Sequence, residues 1–197
     1  MTNYRRELDL QTAVSTVSFE QDGHQYRRTA FASMPDSIIV MRLEADTLSS
    51  FTLRHSADYS KSYSKNDDGC LVNITGVDHE GVATKLFASL RYRVESDGEV
   101  TYGSAGAITV KNYTWANVYI SAATNYVNYK TVTTKAKGAA KALSYLNSAR
   151  QHDYNALLAR HQEAYQATYN RVCLTMPATG NAELPTNKRL ESFTGSS

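Results

Sequence analysis

A chain of 197 residues is long enough for one sizeable core, or for one domain with an appendage. Its 21 Lys and Arg against 19 Asp and Glu leave a formal charge of +2, without the clustered basic residues of a nucleic-acid surface. No apolar run approaches the ~18 residues of a membrane helix, and the opening MTNYRRELDLQ lacks the apolar region of a signal peptide.

In chain order, the apolar phase changes between Arg5 and Phe19. Leu8 and Leu10 sit on even positions, Ala13, Val17 and Phe19 on odd ones. A regular strand cannot change phase, so a bulge or short turn is expected near Gln11-Thr12. Gln21-Asp22-Gly23 reads as a hairpin turn, making residues 13 to 31 one antiparallel pair. The stretch from His24 to Leu43 organises the rest: a strand, a corner at Met34-Pro35-Asp36-Ser37, and a second strand. Ile38-Ile39-Val40-Met41 is apolar at successive positions, the pattern of a strand buried on both sides. Phe51, Leu53 and His55 alternate with polar residues, and the polar run 56–69 reads as a surface loop. Leu71 to Thr75 resumes strand character, and Asp78-His79-Glu80-Gly81 is a turn. Leu86, Ala88, Leu90, Tyr92 and Val94 give the cleanest alternation in the chain. Ser96-Asp97-Gly98 turns that strand into Glu99 to Tyr102; short strands follow at 107–110 and 115–122. Around nine strands at short spacing indicate a mainly β chain built as an antiparallel β-sandwich.

The character changes after Lys130. Thr133 or Thr134 can cap a helix that carries Ala136, Ala139, Ala140, Leu143 and Leu146 on one side, with Gly138 as its weak point. Ser148-Ala149-Arg150-Gln151 has capping-box spacing for a second helix. There Tyr154, Leu158, His161, Tyr165, Thr168 and Val172 recur at helical steps in a single stripe. Residues 172–176 read as a strand returning to the sheet. The expected division is a β-sandwich over 1–130, a helical linker over 131–172, and a returning strand with an irregular tail over 173–197.

Few residues suggest chemistry. Asp67-Asp68 and Asp78-His79-Glu80 are the densest polar clusters, but glycine beside each favours solvated hairpin tips over a catalytic pair. Zinc spacing, a calcium loop, a nucleophile elbow and a phosphate loop are all missing, so no metal and no cofactor is expected. Cys70 and Cys173 allow a disulfide but read better as two free thiols in strand-like contexts. His161 reads as a partly buried histidine bonded to a backbone carbonyl; the sharper reading has it fixing the helix at a domain junction. Tyr113, Trp115 and Tyr119 form either a sugar-stacking platform or, the weightier reading, part of the core. Fourteen tyrosines suit a wet sheet face and sugar stacking equally well. Asn73-Ile74-Thr75 and Asn112-Tyr113-Thr114 fit the glycosylation sequon but read as chance matches in strands.

Several signatures then fall in one order: YRRELDLQTA, YRRTAFASMPDSIIVMRL, VYISAATNY, YNALLARHQEAY running into YNRVCLTM, and LPTNKRL. This set resembles the N-terminal region of glycoside hydrolase family 95, the α-L-fucosidases and their relatives, from Tyr4 to about Phe193. Asn187 stands where that family's LPTD-x-RL has an acidic residue. The resemblance implies a supersandwich-like β domain and helical linker preceding an (α/α)6 barrel, in a chain truncated at both ends and a parent that is periplasmic or secreted. It also implies an inverting hydrolase, whose acid and base stand ~6.5–9.5 Å apart. In the family that machinery lies in the barrel; no position here matches it, so no catalytic residue is assigned. The implied partner is the catalytic barrel of the same polypeptide, with oligosaccharide substrate met only through the parent enzyme. The rivals are a stand-alone carbohydrate-binding module and the same domain from a related (α/α)6 glycosidase or phosphorylase.

Overall fold

The computed structural model describes residues 1–54, 61–66, 69–175, 177 and 180–193. The β elements are β1 (Thr2–Asp9), β2 (Val14–Gln21), β3 (His24–Ser33), β4 (Ile38–Leu53), β5 (Lys61–Asn66) and β6 (Gly69–Thr75). They continue with β7 (Phe87–Ser96), β8 (Glu99–Tyr102), β9 (Ile108–Thr124), β10 (Tyr126–Asn128) and β11 (Thr131–Val132). The helices are α1 (Lys135–Ala149), α2 (Tyr154–Tyr169) and α3 (Thr186–Glu191).

The fold is mainly antiparallel β with a helical segment, as the alternation implied. One nine-stranded sheet runs β1-β2-β3-β4-β9-β7-β6-β5, with β8 paired to the early part of β9. Turn chemistry sets the corners. Asp22 and Gly23, with φ of 54° and 81°, make the two-residue turn that registers Gln21 against His24. The phase change after Leu10 is a short turn: Asp9 pairs with Val14, and its carboxylate accepts from the Gln11 amide (2.8 Å) and the Thr12 hydroxyl (2.7 Å).

The sheet closes over itself because its two longest strands bend together. Register slips between Glu44 and Ser49, and between Ser49 and Phe51, while Asn112 on the facing strand takes φ 54°. Beyond the bend, Ile108 and Val110 of β9 meet Val72, Val94 and Val118 in one sealed cluster, so a single hydrogen-bonded sheet supplies both layers. Tyr113 lies in this cluster, edge-on to Phe51 at 5.3 Å.

The other face of β4 and β9 carries the helices. Val40, Phe31, Ile38 and Tyr119 pack against Leu146 and Ala149 of α1 and Leu157 of α2. The hub strand is therefore buried on both sides at Ile38, Val40 and Leu43, although Ile39 is 46% exposed. Gly138 lets α1 approach the sheet closely: a Cβ there would stand 3.2 Å from the Asn125 amide nitrogen, tighter than ordinary van der Waals contact. Asn125 is itself buried and spends its whole amide at this junction. It accepts from the Phe87 amide (2.8 Å) and donates to the carbonyls of Lys85 (2.7 Å) and Thr133 (3.0 Å).

Several expectations are corrected. Part of the expected loop 56–69 is the edge strand β5; polar residues suit an unpaired edge, so polarity there did not mean loop. His55, Asp67, Asp68 and Met176 lie outside the described residues. Ser148 caps nothing for α2. The helix before it runs on to Ala149, and Asp153 is the true cap, accepting from the Ala156 amide at 2.8 Å. Thr134 does cap α1, but the buried face is Gly138, Ala142, Leu146 and Ala149, rotated from the one expected. Residues 172–175 form no strand. Val172 and Leu174 are 83% and 81% exposed, and apolar alternation makes a strand only where an edge is there to receive it.

Candidate functional site

The helices cover only part of the face on which they lie. On β4 the positions that share a side with Ile38 and Val40 continue as Arg42 and Glu44; on β9 Trp115, Asn117 and Tyr119 lead up to Ser121. Ser121 is sealed under α1 and donates to the Ala142 carbonyl at 2.8 Å. The positions short of the helices floor a groove of about 860 Å³, walled by Glu7 of β1 and by Tyr154 and Asn155 at the start of α2.

Arg42 is the centre of the groove. Its guanidinium lies 5.4 Å from the Trp115 ring centroid and 5.0 Å from that of Tyr154, within cation–π range. It donates from Nε to Glu44 (2.8 Å) and from Nη1 to the Asn117 side-chain carbonyl (3.2 Å). Across the floor Tyr119 donates to Glu95 at 3.1 Å, and Arg93 pairs with the same carboxylate at 2.8 Å. Burial, with the Glu95 carboxylate adding to it, pushes the Tyr119 phenol up, so it stays a neutral donor.

Trp115 is held through its backbone. Asp97 in the β7–β8 turn accepts from the Trp115 and Thr114 amides, each at 3.0 Å, and from the Thr114 hydroxyl. Ser96 donates to the Trp115 carbonyl at 2.8 Å.

The sequence candidates separate. Tyr113 faces the sealed core, whereas Trp115 and Tyr119 face the groove, so the three aromatics make no common platform. His79 and Glu80 lie at a hairpin tip, with the turn formed by Glu80 and Gly81 at φ 49° and 78°. His161 is buried and donates from Nε2 to the Thr12 carbonyl at 2.9 Å, stacked on Phe31 at 5.0 Å. Tyr165 and Gln166 reach the carbonyls of Leu10 (2.7 Å) and Gln11 (3.1 Å), so α2 grips three successive carbonyls of the β1–β2 turn. Cys70 is buried in β6 and Cys173 exposed; both are free. No group of three His, Cys, Asp or Glu side chains suited to a metal ion occurs among the described residues. Sequence reading missed Arg42, Glu44, Glu95 and Asn117. The available signal was a charged pair continuing the face that Ile38 and Val40 begin.

The family model described as glycosyl hydrolase family 65, N-terminal domain, matches residues 1–129. The chain belongs to that family. Over 223 aligned residues it is 29% identical to "Alpha-L-fucosidase 2" of Arabidopsis thaliana, covering 97% of this chain and 26% of that protein. It is 25% identical to "Probable alpha-fucosidase A" of Aspergillus niger, covering 96% of this chain and 25% of that one. The chain thus spans about a quarter of the length of the curated relatives it matches. Among solved structures it is similar to "Putative kojibiose phosphorylase from human microbiome", with a TM-score of 0.53 and 14% identity, over 85% of this chain and 25% of that one. At that identity the likeness shows the fold alone. The fucosidase resemblance carried by the ordered motifs stands with these relatives.

Proposed function

We propose that this chain is the non-catalytic N-terminal domain of an α-L-fucosidase-type glycoside hydrolase, supporting an (α/α)6 catalytic barrel in the same polypeptide. The match to the family's N-terminal domain over residues 1–129, in a chain a quarter the length of its fucosidase relatives, carries the reading. Residues 1–130 act as the β body and 131–172 as the helical segment leading to the barrel. The three-carbonyl grip of α2 on the β1–β2 turn makes that segment a stiff mount, with His161 fixing its orientation. Beyond α2, Val172, Leu174, Leu190 and Phe193 are all more than 70% exposed, apolar surface suited to a neighbouring domain.

The test is fucose release from an α1,2-fucosylated oligosaccharide, by the 197-residue chain and by the longer polypeptide of its gene. The chain alone is expected to release none and the longer polypeptide to release fucose. Turnover by the chain, abolished by exchanging one of its own carboxylates, overturns the reading. The phosphorylase reading has the structural likeness in its favour. It calls for phosphate-dependent products from the longer polypeptide, where the fucosidase reading calls for products that ignore phosphate.

A further inference from the structure

We propose that the groove centred on Arg42 is a binding site for a neutral oligosaccharide, a short run of sugar units belonging to the glycan on which the parent enzyme acts. The volume of about 860 Å³ falls within the ~300–1,000 Å³ of small-molecule sites. Its charges decide the class of ligand. Five carboxylates line it, which on a simple count would attract a cation. Each is already engaged: Glu7 by Arg5 (2.7 Å), Glu44 by Arg42 (2.8 Å) and Glu95 by Arg93 (2.8 Å). Asp9 is bonded within its own turn and Asp153 caps α2. Arg5, Arg27, Arg42 and Arg93 set four positive charges against these five negative ones, so little net charge is left for a basic peptide or an anion to exploit.

Acceptor capacity remains. An ionised carboxylate offers about four lone-pair sites, and these are oriented by the arginines that pair with them. Fixed acceptors, the arginine donors, the Asn117 amide and the Tyr119 hydroxyl form an array matched to a ligand dense in hydroxyl groups. Trp115 and Tyr154 add flat apolar surface for the C–H faces of sugar rings, and both rings are held about the Arg42 cation. Trp115 is further fixed by Asp97 and Ser96, so little ordering remains to be done on binding. The choice of sugar rests on the reading of the parent as glycan-active; the geometry of the groove does not.

Trp115 is the only tryptophan of the chain, so its fluorescence reports on the groove directly. The 197-residue chain is titrated to millimolar levels with 2′-fucosyllactose, kojibiose, trilysine and citrate, and calorimetry repeats each titration. The expected result is saturable binding of at least one of the two oligosaccharides, with no response to trilysine or citrate. Asn155 is exposed at the groove wall, so Asn155→Arg should obstruct the groove without disturbing the core; binding should weaken by roughly tenfold or more at unchanged Tm. Glu44→Gln tests the acceptor array and should also weaken binding. Saturation by neither sugar, sugar binding untouched by Asn155→Arg, or preference for trilysine or citrate would each overturn the proposal. The fucose-release assay is read separately, so an empty groove would leave the domain assignment standing.

Discussion

The two faces of the β4–β9 pair are made by the same strands and solved in different ways. One face meets another part of its own sheet and is dry where the two parts meet: Leu43, Val110, Ala116 and Val118 are all buried there, while Ile39 at its margin is exposed. The other meets two helices that are too short to cover it. Under them it is apolar, with Val40, Leu146 and Leu157 fully buried; beyond them it turns to Arg42, Glu44 and Asn117. A self-closing sheet demands apolar residues wherever its two parts meet. A face covered by helices is free to keep polar chemistry wherever the helices end, and the groove sits at that margin.

The largest expected effect strikes the helix-covered face. Leu146→Ala removes a fully buried side chain that joins α1 to β4 and should cost about 3 kcal/mol. Val110→Ala on the self-closed face removes less volume and should cost about 2 kcal/mol. Urea unfolding of each variant, followed by Trp115 fluorescence and by far-ultraviolet circular dichroism, measures both. Because the faces share β4 and β9, the two signals should coincide in both variants. Separate transitions after Leu146→Ala would break the comparison, showing that the helices are carried by the sheet without being built into it.

A smaller effect belongs to the corner where α2 meets the β3–β4 turn. Asp36 is buried, accepts from the Ser33 hydroxyl at 2.6 Å and pairs with Arg160 at 2.9 Å. The Arg160 side chain is 44% exposed, so water screens the pair and can rehydrate the arginine when its partner is lost. Asp36→Ala should therefore cost about 1–2 kcal/mol, less than removal of a wholly buried pair. A shift in urea midpoint as large as that of Leu146→Ala would show that the corner, and not the apolar contact, holds the helices down.

What the sequence made legible follows the same division. The apolar alternation of β7 and the Asp22-Gly23 turn were readable because each is decided by a few neighbouring residues; the run Ile38–Met41 was readable only in part, for Ile38 and Val40 are buried while Ile39 is exposed. The His161 bond to a backbone carbonyl was readable too, since a histidine on an apolar stripe needs a partner. The edge strand β5 was missed because a largely polar sequence can pair at an edge, with Tyr63 carrying its contact to the core. Residues 172–175 were misread because local alternation does not say whether a sheet edge is free. The groove was hardest of all. Glu7, Arg42, Trp115 and Tyr154 come from four elements far apart in the chain, and only the pairing of β4 with β9 and the placement of β1 and α2 bring them together.

The smallest effect concerns how firmly the open face is held, and it depends on pH. Burial alone would raise the Asp97 carboxyl, but the bonds it accepts from the Thr114 hydroxyl and from the Trp115 and Thr114 amides outweigh that and hold it below the ordinary aspartate value. A carboxylate with a lowered folded-state pKa stabilises the fold above its unfolded-state value of about 3.9, and that contribution disappears as pH falls through the folded-state value. Asp97 is largely exposed, so its contribution is small. Urea midpoints of the native chain and of Asp97→Asn should differ most near neutral pH and converge below about pH 4. The Trp115 emission of Asp97→Asn should meanwhile move toward that of a more mobile indole, since the turn that grips its backbone is weakened. A difference that persists unchanged into acid would mean that it does not arise from the carboxylate's charge, and that shape rather than charge secures the groove's aromatic floor.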